Sequence, residues 1–315
     1  MRLRVLGSAA GGGLPQWNCA CSNCADARAD TGRVRPRTQD ALALEAAPGV
    51  WFLINASPDV HRQIQANPDL APRAGRATPI HGVVLTNGDL DHTLGLFSLR
   101  ENTPLALYAT ESVRRGLVEG NTIFRTLERF PGQSAWKRLG LDAPTELLGP
   151  GDEPTGVTVT AVPLPGKVPK HLEGLAPPSA EDNVGLWIRD TRTGKLAVLA
   201  TAVGRDGGDP QTPGAAGDYI ARMDGADACF FDGTFWTSDE LPRLGLGTAR
   251  AEDMAHLPIS GERGSLALLS GVRAGRKVFT HINNTNPMLV EGSPERRAVE
   301  ASGWEVAGDG LEIEL

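Results

Sequence analysis

The chain has 315 residues, of which 40% are hydrophobic, so it is long and apolar enough to build a substantial buried core. Its formal net charge of −7 comes from 38 acidic and 31 basic residues with no long run of either sign. This balance argues against a nucleic-acid partner and against a basic membrane-binding face. The sequence offers no segment long enough to span a bilayer and no signal-peptide core, so we expect a cytoplasmic protein with a small substrate.

The predicted elements alternate between strands and helices along the chain. In the first half, strands are expected at 3–6, 40–46, 50–55, 80–85 and 105–109, and helices after Ser57-Pro58-Asp59, at 93–100 and from 111 to about 130. In the second half, strands are expected at 156–164, 183–190, 195–200, 226–232 and 277–282, and helices at 215–223, at 265–271 and from 293. Two β-rich halves with outer helices predict an α/β (α+β) fold, an αββα sandwich that forms one domain over residues 1–315.

Three of the four cysteines lie close together in the segment 19–24. Mutual disulfides between Cys19, Cys21 and Cys24 would be badly strained, whereas clustered thiolates are typical metal ligands. The segment therefore predicts a structural Zn(II) site that needs a fourth ligand from elsewhere. The remaining cysteine, Cys229, falls in an apolar strand and is expected in the core.

A second polar cluster follows the predicted strand 80–85. Asp89, Asp91 and His92 lie there within a few residues of Asn87, on a loop at the carboxyl end of the strand, where α/β scaffolds usually bind ligands. The cluster indicates a metal site. The alternative is an Asp-rich turn that caps the next helix.

Two later strands also end in polar residues, Asp232 and His281. A histidine at the end of one strand is usually structural. With only six histidines in the chain, however, finding His92 and His281 at the ends of two apolar strands favours a shared site for metal ligands.

These residues resemble the metallo-β-lactamase fold. The resemblance rests on Asp91-His92 with Gly95-Leu96, on the string 55–59 and on Asp232 and Thr280-His281. The longer strings 7–19 and 281–287 are similar to those of the PqqB family of pyrroloquinoline quinone (PQQ) biosynthesis, and the resemblance covers essentially the whole chain.

The chain departs from the hydrolases of this fold in its metal-binding motif. Those enzymes carry His-x-His-x-Asp-His, and here the matching positions hold Asn87, Asp89, Asp91 and His92. A bridging aspartate is also missing after the strand 195–200. What remains is Asp91, His92 and His281, with Asp89 and Asp232 as further candidate ligands. Two imidazoles and one carboxylate form the ligand set of mononuclear non-haem Fe(II) enzymes.

The resemblance implies an iron-dependent hydroxylase that acts on the tyrosine ring of a peptide-derived Glu-Tyr precursor, with other PQQ-pathway enzymes as expected partners. Two alternatives stay open: a carrier that assists transport of PQQ or its precursor to the periplasm, and a zinc hydrolase. The oligomeric state is also open, with a homodimer as one option.

The remaining site candidates each have more than one interpretation. His256 lies where related enzymes place a substrate-side acid or base, but either His256 or Asn284 could instead complete the cysteine zinc site. An acidic substrate would need cations near the metal, for which the candidates are Arg100, Lys167, Lys170 and Arg243. The other histidines, His61, His81 and His171, are interpreted as structural.

Overall fold

The computed structural model describes residues 1–175, 177–205 and 216–315. The side chain of Lys170, one of the predicted cations, is not part of this description. Ala215, the first residue of one predicted helix, lies outside the described residues.

The strands of the described residues form two seven-stranded sheets. The first sheet contains β1 (Arg2–Gly7), β2 (Ala41–Ala47), β3 (Val50–Ile54), β4 (Ile80–Val84), β5 (Leu105–Ala109), β6 (Ser134–Arg138) and β14 (Glu312–Glu314), in the order β14-β1-β2-β3-β4-β5-β6. The second contains β7 (Pro144–Leu148), β8 (Pro154–Pro163), β9 (Val184–Asp190), β10 (Leu196–Ala200), β11 (Ala228–Asp232), β12 (Arg276–Thr280) and β13 (Glu305–Val306), in the order β13-β12-β11-β10-β9-β8-β7.

Helices of the described residues pack on the outer face of each sheet. The α-helices are α1 (Ser22–Arg28), α2 (Val60–Ala66), α3 (Leu90–Thr93), α4 (Glu111–Val118), α5 (Ala216–Met223), α6 (Glu240–Arg243), α7 (Ser265–Leu268) and α8 (Pro294–Ala301). Short 3-10 helices supplement them, of which Leu94–Leu99 and Thr122–Glu128 are the longest among the described residues. No described helix has the length and apolar character required to cross a membrane.

Three hydrophobic clusters show the layers of the fold. One joins the inner faces of both sheets and includes Phe52 of β3 and Phe230 of β11. A second lies under α2 and α4 on the outer face of the first sheet, and a third lies under α5 and α8 on the outer face of the second. Each sheet is therefore buried on both faces, and the predicted αββα sandwich in one domain is confirmed.

The sheet topology places the candidate site residues at one edge of the sandwich. Strands β3, β4 and β5 are parallel, and so are β10, β11 and β12, so the carboxyl ends of these strands meet at that edge. Asp232 ends β11, and His281 follows the last residue of β12. A parallel bridge between Ala9 and Ile282 joins the loop after β1 to the same edge.

The first helix after β4 differs from its prediction. It begins at Leu90 rather than near Thr93, and it continues as a 3-10 helix after Thr93. Asp89 occupies the N-cap position, but its side chain makes no capping hydrogen bond. The alternative of a loop whose aspartate serves to cap the helix is therefore not supported. Asp91 and His92 instead lie in the first turn, where the helix fixes their direction.

Other boundaries differ at places where tertiary contacts decide the local structure. Helix α2 begins at Val60, two residues later than predicted, although the Ser57 hydroxyl accepts a hydrogen bond from the Asp59 amide at 3.3 Å, the contact expected of a cap at Ser57. The short strands β6, β7, β13 and β14 were not predicted. Their sequences carry mixed polar and apolar residues, and they become strands by pairing at or near the ends of the two sheets.

Candidate metal centre

Asp91, His92 and His281 converge at the edge where the strands end. One possible ligand atom of each lies within 4.8 Å of the others. The carboxylate Oδ2 of Asp91 is 3.5 Å from His281 Nε2 and 4.0 Å from His92 Nε2. These separations suit three ligands around one ion, because metal–ligand bonds of about 2.0–2.2 Å place neighbouring ligand atoms some 3–4 Å apart.

The backbone around His92 is held against the turn after β3. The Ala56 amide donates to the His92 carbonyl at 2.7 Å, and the Gly95 amide donates to the Ala56 carbonyl at 2.8 Å. A Cβ at Gly95 would lie 2.1 Å from the Ser57 carbonyl oxygen, so only glycine permits this close approach. The string 55–59 and the pair Gly95-Leu96 thus hold the turn that carries the candidate ligands Asp91 and His92 in place.

The tautomer of His92 follows from its partner. Its Nδ1 is 2.9 Å from the side-chain oxygen of Asn87, an acceptor, so the Nδ1 carries the proton and the Nε2 keeps its lone pair. The Nε2 atom is buried and has no hydrogen-bond partner in the part of the chain that the structure describes. Asn87 therefore orients the ring of His92. In the hydrolases of this fold, an imidazole ligand occupies the position of Asn87.

His281 is oriented in a similar way by Thr234. The Thr234 hydroxyl donates its single proton to Asp232 Oδ1 at 2.6 Å, so it accepts from His281 Nδ1 at 2.9 Å. The Nε2 of His281 is then directed to Asp91. The backbone of His281 has a φ of 55°, which is rare for a non-glycine residue and is typical of a residue held in place for function.

The charged groups at the site shift one another's pKa values. Burial acts to raise the pKa of Asp91, but His92 and His281 outweigh it and hold that pKa below its usual range. Burial acts to lower the pKa of His281, but its hydrogen bond to Asp91 and the charges of Asp40, Asp91 and Asp232 outweigh burial and raise that pKa to about 9. A dication bound between these groups would take the place of the His281 proton.

Asp232 and His256 form a second pair next to the same site. His256 Nδ1 donates to Asp232 Oδ2 at 2.7 Å, which leaves the Nε2 of His256 as the free ring nitrogen. Asp232 also accepts from the Val203 amide at 2.8 Å and from the Thr234 amide at 2.9 Å. The rings of His256 and His281 stack with centroids 5.3 Å apart. A second group of possible ligand atoms, also within 4.8 Å of one another, comes from Asp232, His256 and His281. Asp232 already accepts hydrogen bonds on both of its oxygens, which favours a role in orienting the two histidines over a role as a ligand.

Asp89 is close to the site without joining either group of candidate ligands found among the described residues. Burial and the neighbouring Asp91 raise the pKa of Asp89, whereas Lys167 acts in the opposite direction. The strand β10 ends at Ala200 and is followed by Thr201 and Ala202, so these described residues offer no carboxylate at the position of a bridging aspartate.

A cavity of about 570 Å³ opens in front of these groups. Its lining includes the candidate ligands, the loop residues Gly11 and Gly12, and side chains from four further segments: Lys167 and His171, Phe235, Met254, and Asn283. A Cβ at Gly11 would lie 3.0 Å from Asp91 Oδ2, so the glycine loop packs directly against the metal-binding carboxylate.

The three clustered cysteines form a separate group. The Sγ atoms of Cys19, Cys21 and Cys24 lie within 4.8 Å of one another. The side-chain nitrogen of Asn284 is 3.2 Å, 3.6 Å and 3.3 Å from them, in that order, so Asn284 occupies the fourth side of the cluster. The Gln16 amide donates to Cys24 Sγ at 3.3 Å, and such bonds favour the thiolate.

The comparisons with known proteins agree with this geometry. A family model described as a beta-lactamase superfamily domain matches residues 50–282. Coenzyme PQQ synthesis protein B of Methylobacterium radiotolerans is 45% identical to the chain, with both chains covered completely, and the protein of the same name from a strain of Methylorubrum extorquens is also 45% identical over the full length of both. The chain belongs to the coenzyme PQQ synthesis protein B (PqqB) family.

Solved structures support the same assignment. The crystal structure of Zn(2+)-bound PqqB from Methylobacterium extorquens superposes with a TM-score of 0.88 at 42% identity and covers both chains completely. A diphosphatase from the PhnP family is 19% identical with a TM-score of 0.65, covering 100% of this chain and 97% of its own, which shows the shared fold alone. The metallo-β-lactamase fold expected from the sequence is thus confirmed for this member of the PqqB family.

Within this PqqB-family chain, the two arginine candidates lie away from the metal-site cavity. Arg100 is exposed and donates to the Phe97 carbonyl at 2.6 Å. Arg243 lines a different cavity, which it shares with Cys21 and Glu240 beside the cysteine cluster. Of the predicted cations with described side chains, only Lys167 lines the cavity in front of Asp91.

Two histidine predictions need correction in the light of the structure. His256 was one option for the fourth ligand of the cysteine cluster, but its ring is held by Asp232 on the other side of His281, and Asn284 is the residue that faces the sulfurs. His171 was interpreted as structural, yet it lines the cavity, and both of its ring nitrogens are buried with no hydrogen-bond partner among the residues whose side chains are described. Its position on a proline-rich loop between two strands was the available signal.

Proposed function

We propose that this chain acts in PQQ biosynthesis as an Fe(II)-dependent hydroxylase of the tyrosine ring of a peptide-derived Glu-Tyr precursor. Fe(II) would be held by Asp91, His92 and His281, and Zn(II) would be held by Cys19, Cys21 and Cys24. The observation that carries the proposal is the convergence of two imidazoles and one carboxylate on one point, at the wall of a cavity. Membership of the PqqB family supports the pathway.

The donor set fits a mononuclear metal site better than a pair of ions. His92 Nε2 is a buried nitrogen with no partner in the protein, and a metal bond would satisfy it. The groups that would bind a second ion in hydrolases of this fold are replaced by Asn87 and by the segment Ala200-Thr201-Ala202. When bound, Fe(II) with open coordination positions supplies the activation of O₂ that ring hydroxylation requires.

The His256–Asp232 pair is suited to move the substrate proton. His256 Nε2 is free, and the ring lines the cavity, so it can accept the proton that leaves the phenol or the ring carbon during hydroxylation. Asp232 would stabilise the resulting imidazolium, because its Oδ2 already holds the Nδ1 proton at 2.7 Å. His256 is thus the proposed base, and Asp232 is a positioning residue.

The cavity also suits the size and charge of a Glu-Tyr substrate. Its volume of about 570 Å³ is within the usual range for small-molecule sites. Lys167 gives it a cation for a substrate carboxylate, and Phe235 and Met254 give it apolar surface for a ring. His171 adds two ring nitrogens without protein partners, which a polar substrate group could satisfy.

The test uses anaerobically prepared protein with zinc in the cysteine cluster and Fe(II) added. Wild-type protein should add one oxygen atom to a tyrosine-containing dipeptide in the presence of O₂ and reductant, as detected by mass spectrometry. Asp91→Ala and His281→Ala should lose both the added iron and the product. His61→Ala, a change at an exposed histidine outside the cavity, is the matched control and should keep both.

Three results would argue against the proposal. If Asp91→Ala and His281→Ala kept wild-type iron content and turnover, the metal would be bound elsewhere. If wild-type protein bound PQQ tightly after metal removal and never produced a hydroxylated dipeptide, the carrier function would be favoured instead. Zn²⁺-loaded protein that hydrolysed a phosphodiester or a lactam would point to the hydrolase.

A further inference from the structure

Asp40, immediately before β2, is a buried carboxylate that the proposed mechanism does not use. Its side chain has 0% exposure. Oδ1 accepts a hydrogen bond from the Thr280 hydroxyl at 3.0 Å, whereas Oδ2 is buried and has no hydrogen-bond partner among the described residues. A buried carboxylate oxygen without a partner is costly, so its place in the fold calls for a physical reason.

The unpartnered oxygen faces the unpartnered nitrogen of a proposed metal ligand. Asp40 Oδ2 is 3.9 Å from His92 Nε2, and both atoms lack a partner. This distance is too long for a direct hydrogen bond. It matches the separation of two atoms that each bind the same ion at about 2.0–2.2 Å with a wide angle between them. Asp40 does not belong to the group Asp91, His92 and His281, whose ligand atoms lie within 4.8 Å of one another, so its carboxylate would have to move toward the ion on binding.

The surrounding charges are consistent with a cation at this point. Asp40 and Asp91 are both carboxylates beside the same imidazole, with oxygens 3.9 Å and 4.0 Å from His92 Nε2. Two carboxylates would neutralise the charge of one divalent ion, which lowers the cost of burying all three.

We propose that Asp40 provides a second carboxylate to the metal centre, through its Oδ2, so that the bound dication is held by two imidazoles and two carboxylates. This inference rests on the proposed metal site but not on the hydroxylase activity. A site with two carboxylates should prefer ions that favour oxygen ligands, such as Mn²⁺ and Fe²⁺, more strongly than a site with Asp91 alone. Thr280 positions the carboxylate by holding Oδ1.

The first experiment measures Mn(II) affinity, with zinc already bound to the cysteine cluster. Free Mn(II) is followed by electron paramagnetic resonance during titration of the wild type, Asp40→Asn and Thr280→Val. Asp40→Asn should weaken Mn(II) binding by at least about tenfold, and Thr280→Val should weaken it less, because only the orientation of the carboxylate is disturbed. An affinity of Asp40→Asn equal to that of the wild type would overturn the proposal.

The second experiment separates direct ligation from an indirect effect. In Asp40→Cys, a thiolate replaces the carboxylate, and Co(II) bound to it should show a sulfur-to-cobalt charge-transfer band. The wild type and His61→Cys, whose new thiol is on the surface, should show no such band after identical zinc loading. Asp40→Cys without the band would mean that Asp40 reaches the ion only through a water molecule, and direct ligation would be refuted.

Thermal unfolding of the metal-free proteins controls for misfolding. Asp40→Asn removes a buried charge with an unpartnered oxygen, so its metal-free form should melt at or above the wild-type temperature at neutral pH. A drop well below it would show that Asp40 stabilises the fold without a metal, and this would also contradict the proposal. Neither readout requires turnover, so failure of the hydroxylase assay and failure of this inference are distinguishable.

Discussion

The imidazole Nδ1 of His256 lies 2.7 Å from Oδ2 of Asp232, whose side chain is completely buried. The same carboxylate accepts from the Val203 amide and from the amide and hydroxyl of Thr234, so all of its close partners are donors. Through the Thr234 hydroxyl it also determines the orientation of His281. One buried carboxylate therefore orients both the proposed base and one proposed metal ligand.

Asp232→Asn should lower kcat by about 10- to 100-fold with iron still bound. The amide nitrogen introduced would face donors at either oxygen position, so either the His256 tautomer or the Thr234 hydroxyl that orients His281 must change. Steady-state rates across a pH series, with metal analysis of each sample, provide the measurement. A uniform loss of folded protein would reduce the rate without changing the shape of the pH profile, whereas a change in the base should alter that shape.

Cys24→Ser should remove the zinc and lower the thermal midpoint by on the order of 5 °C or more. Asn23 donates to the Asn284 and Asn286 carbonyls at 3.0 Å and 2.9 Å, so the cysteine turn is joined to the loop that follows His281. We therefore also expect weaker iron binding in this variant. Cys229→Ser is the matched control, because Cys229 is equally buried but lies outside the cluster. Equal zinc content in both variants would contradict the assignment.

Lys167→Gln should raise KM for an acidic dipeptide by about tenfold with little change in kcat, because the lysine would bind a substrate carboxylate away from the reacting ring. Arg100→Gln should leave both constants unchanged, since its guanidinium is exposed and bonded to the Phe97 carbonyl. Initial rates over a range of dipeptide concentrations make the comparison. A larger effect of Arg100→Gln than of Lys167→Gln would show that the substrate approaches from another direction.

Asp190→Asn should reduce the free energy of unfolding at neutral pH by about 1.5–3 kcal/mol. The bidentate contact with Arg192, at 2.9 Å and 2.8 Å, is the main cause that lowers the pKa of Asp190. A carboxyl group whose pKa is lowered by folding stabilises the folded state at pH values above its unfolded-state pKa of about 3.9. This stabilisation is lost as the pH falls through the folded-state pKa.

The difference between wild type and Asp190→Asn should thus be constant near neutral pH and shrink below about pH 4, as urea unfolding at several pH values would show. Asp224→Asn is the comparison variant: Arg273 also lowers the pKa of Asp224, but this pair is exposed, so solvent screening should make its acid-dependent difference clearly smaller than that of Asp190→Asn. A constant difference down to the lowest pH would mean that Asp190 acts through packing rather than charge.

The sequence alone was sufficient for the fold class and the core of the site. Apolar strands such as β4 and β5 have regular patterns, and Asp91, His92 and His281 follow directly from strand ends and from the departures within a known motif. Parallel strands bring their carboxyl ends together, so the meeting of these residues could be expected. The cluster of three cysteines was visible for a simpler reason, because its members are neighbours along the chain.

Only the tertiary structure decided which distant groups act on these residues. Asp40 and His92 are far apart in the sequence, and the 3.9 Å between their side chains depends on how β2 lies beside the edge of the sheet. Three further placements depend on how distant loops pack together: His256 against Asp232, Asn284 against the cysteine sulfurs, and His171 in the cavity wall. Local pattern determines strands and helices, whereas contacts between loops depend on the packing of the whole sandwich, which no short stretch of sequence encodes.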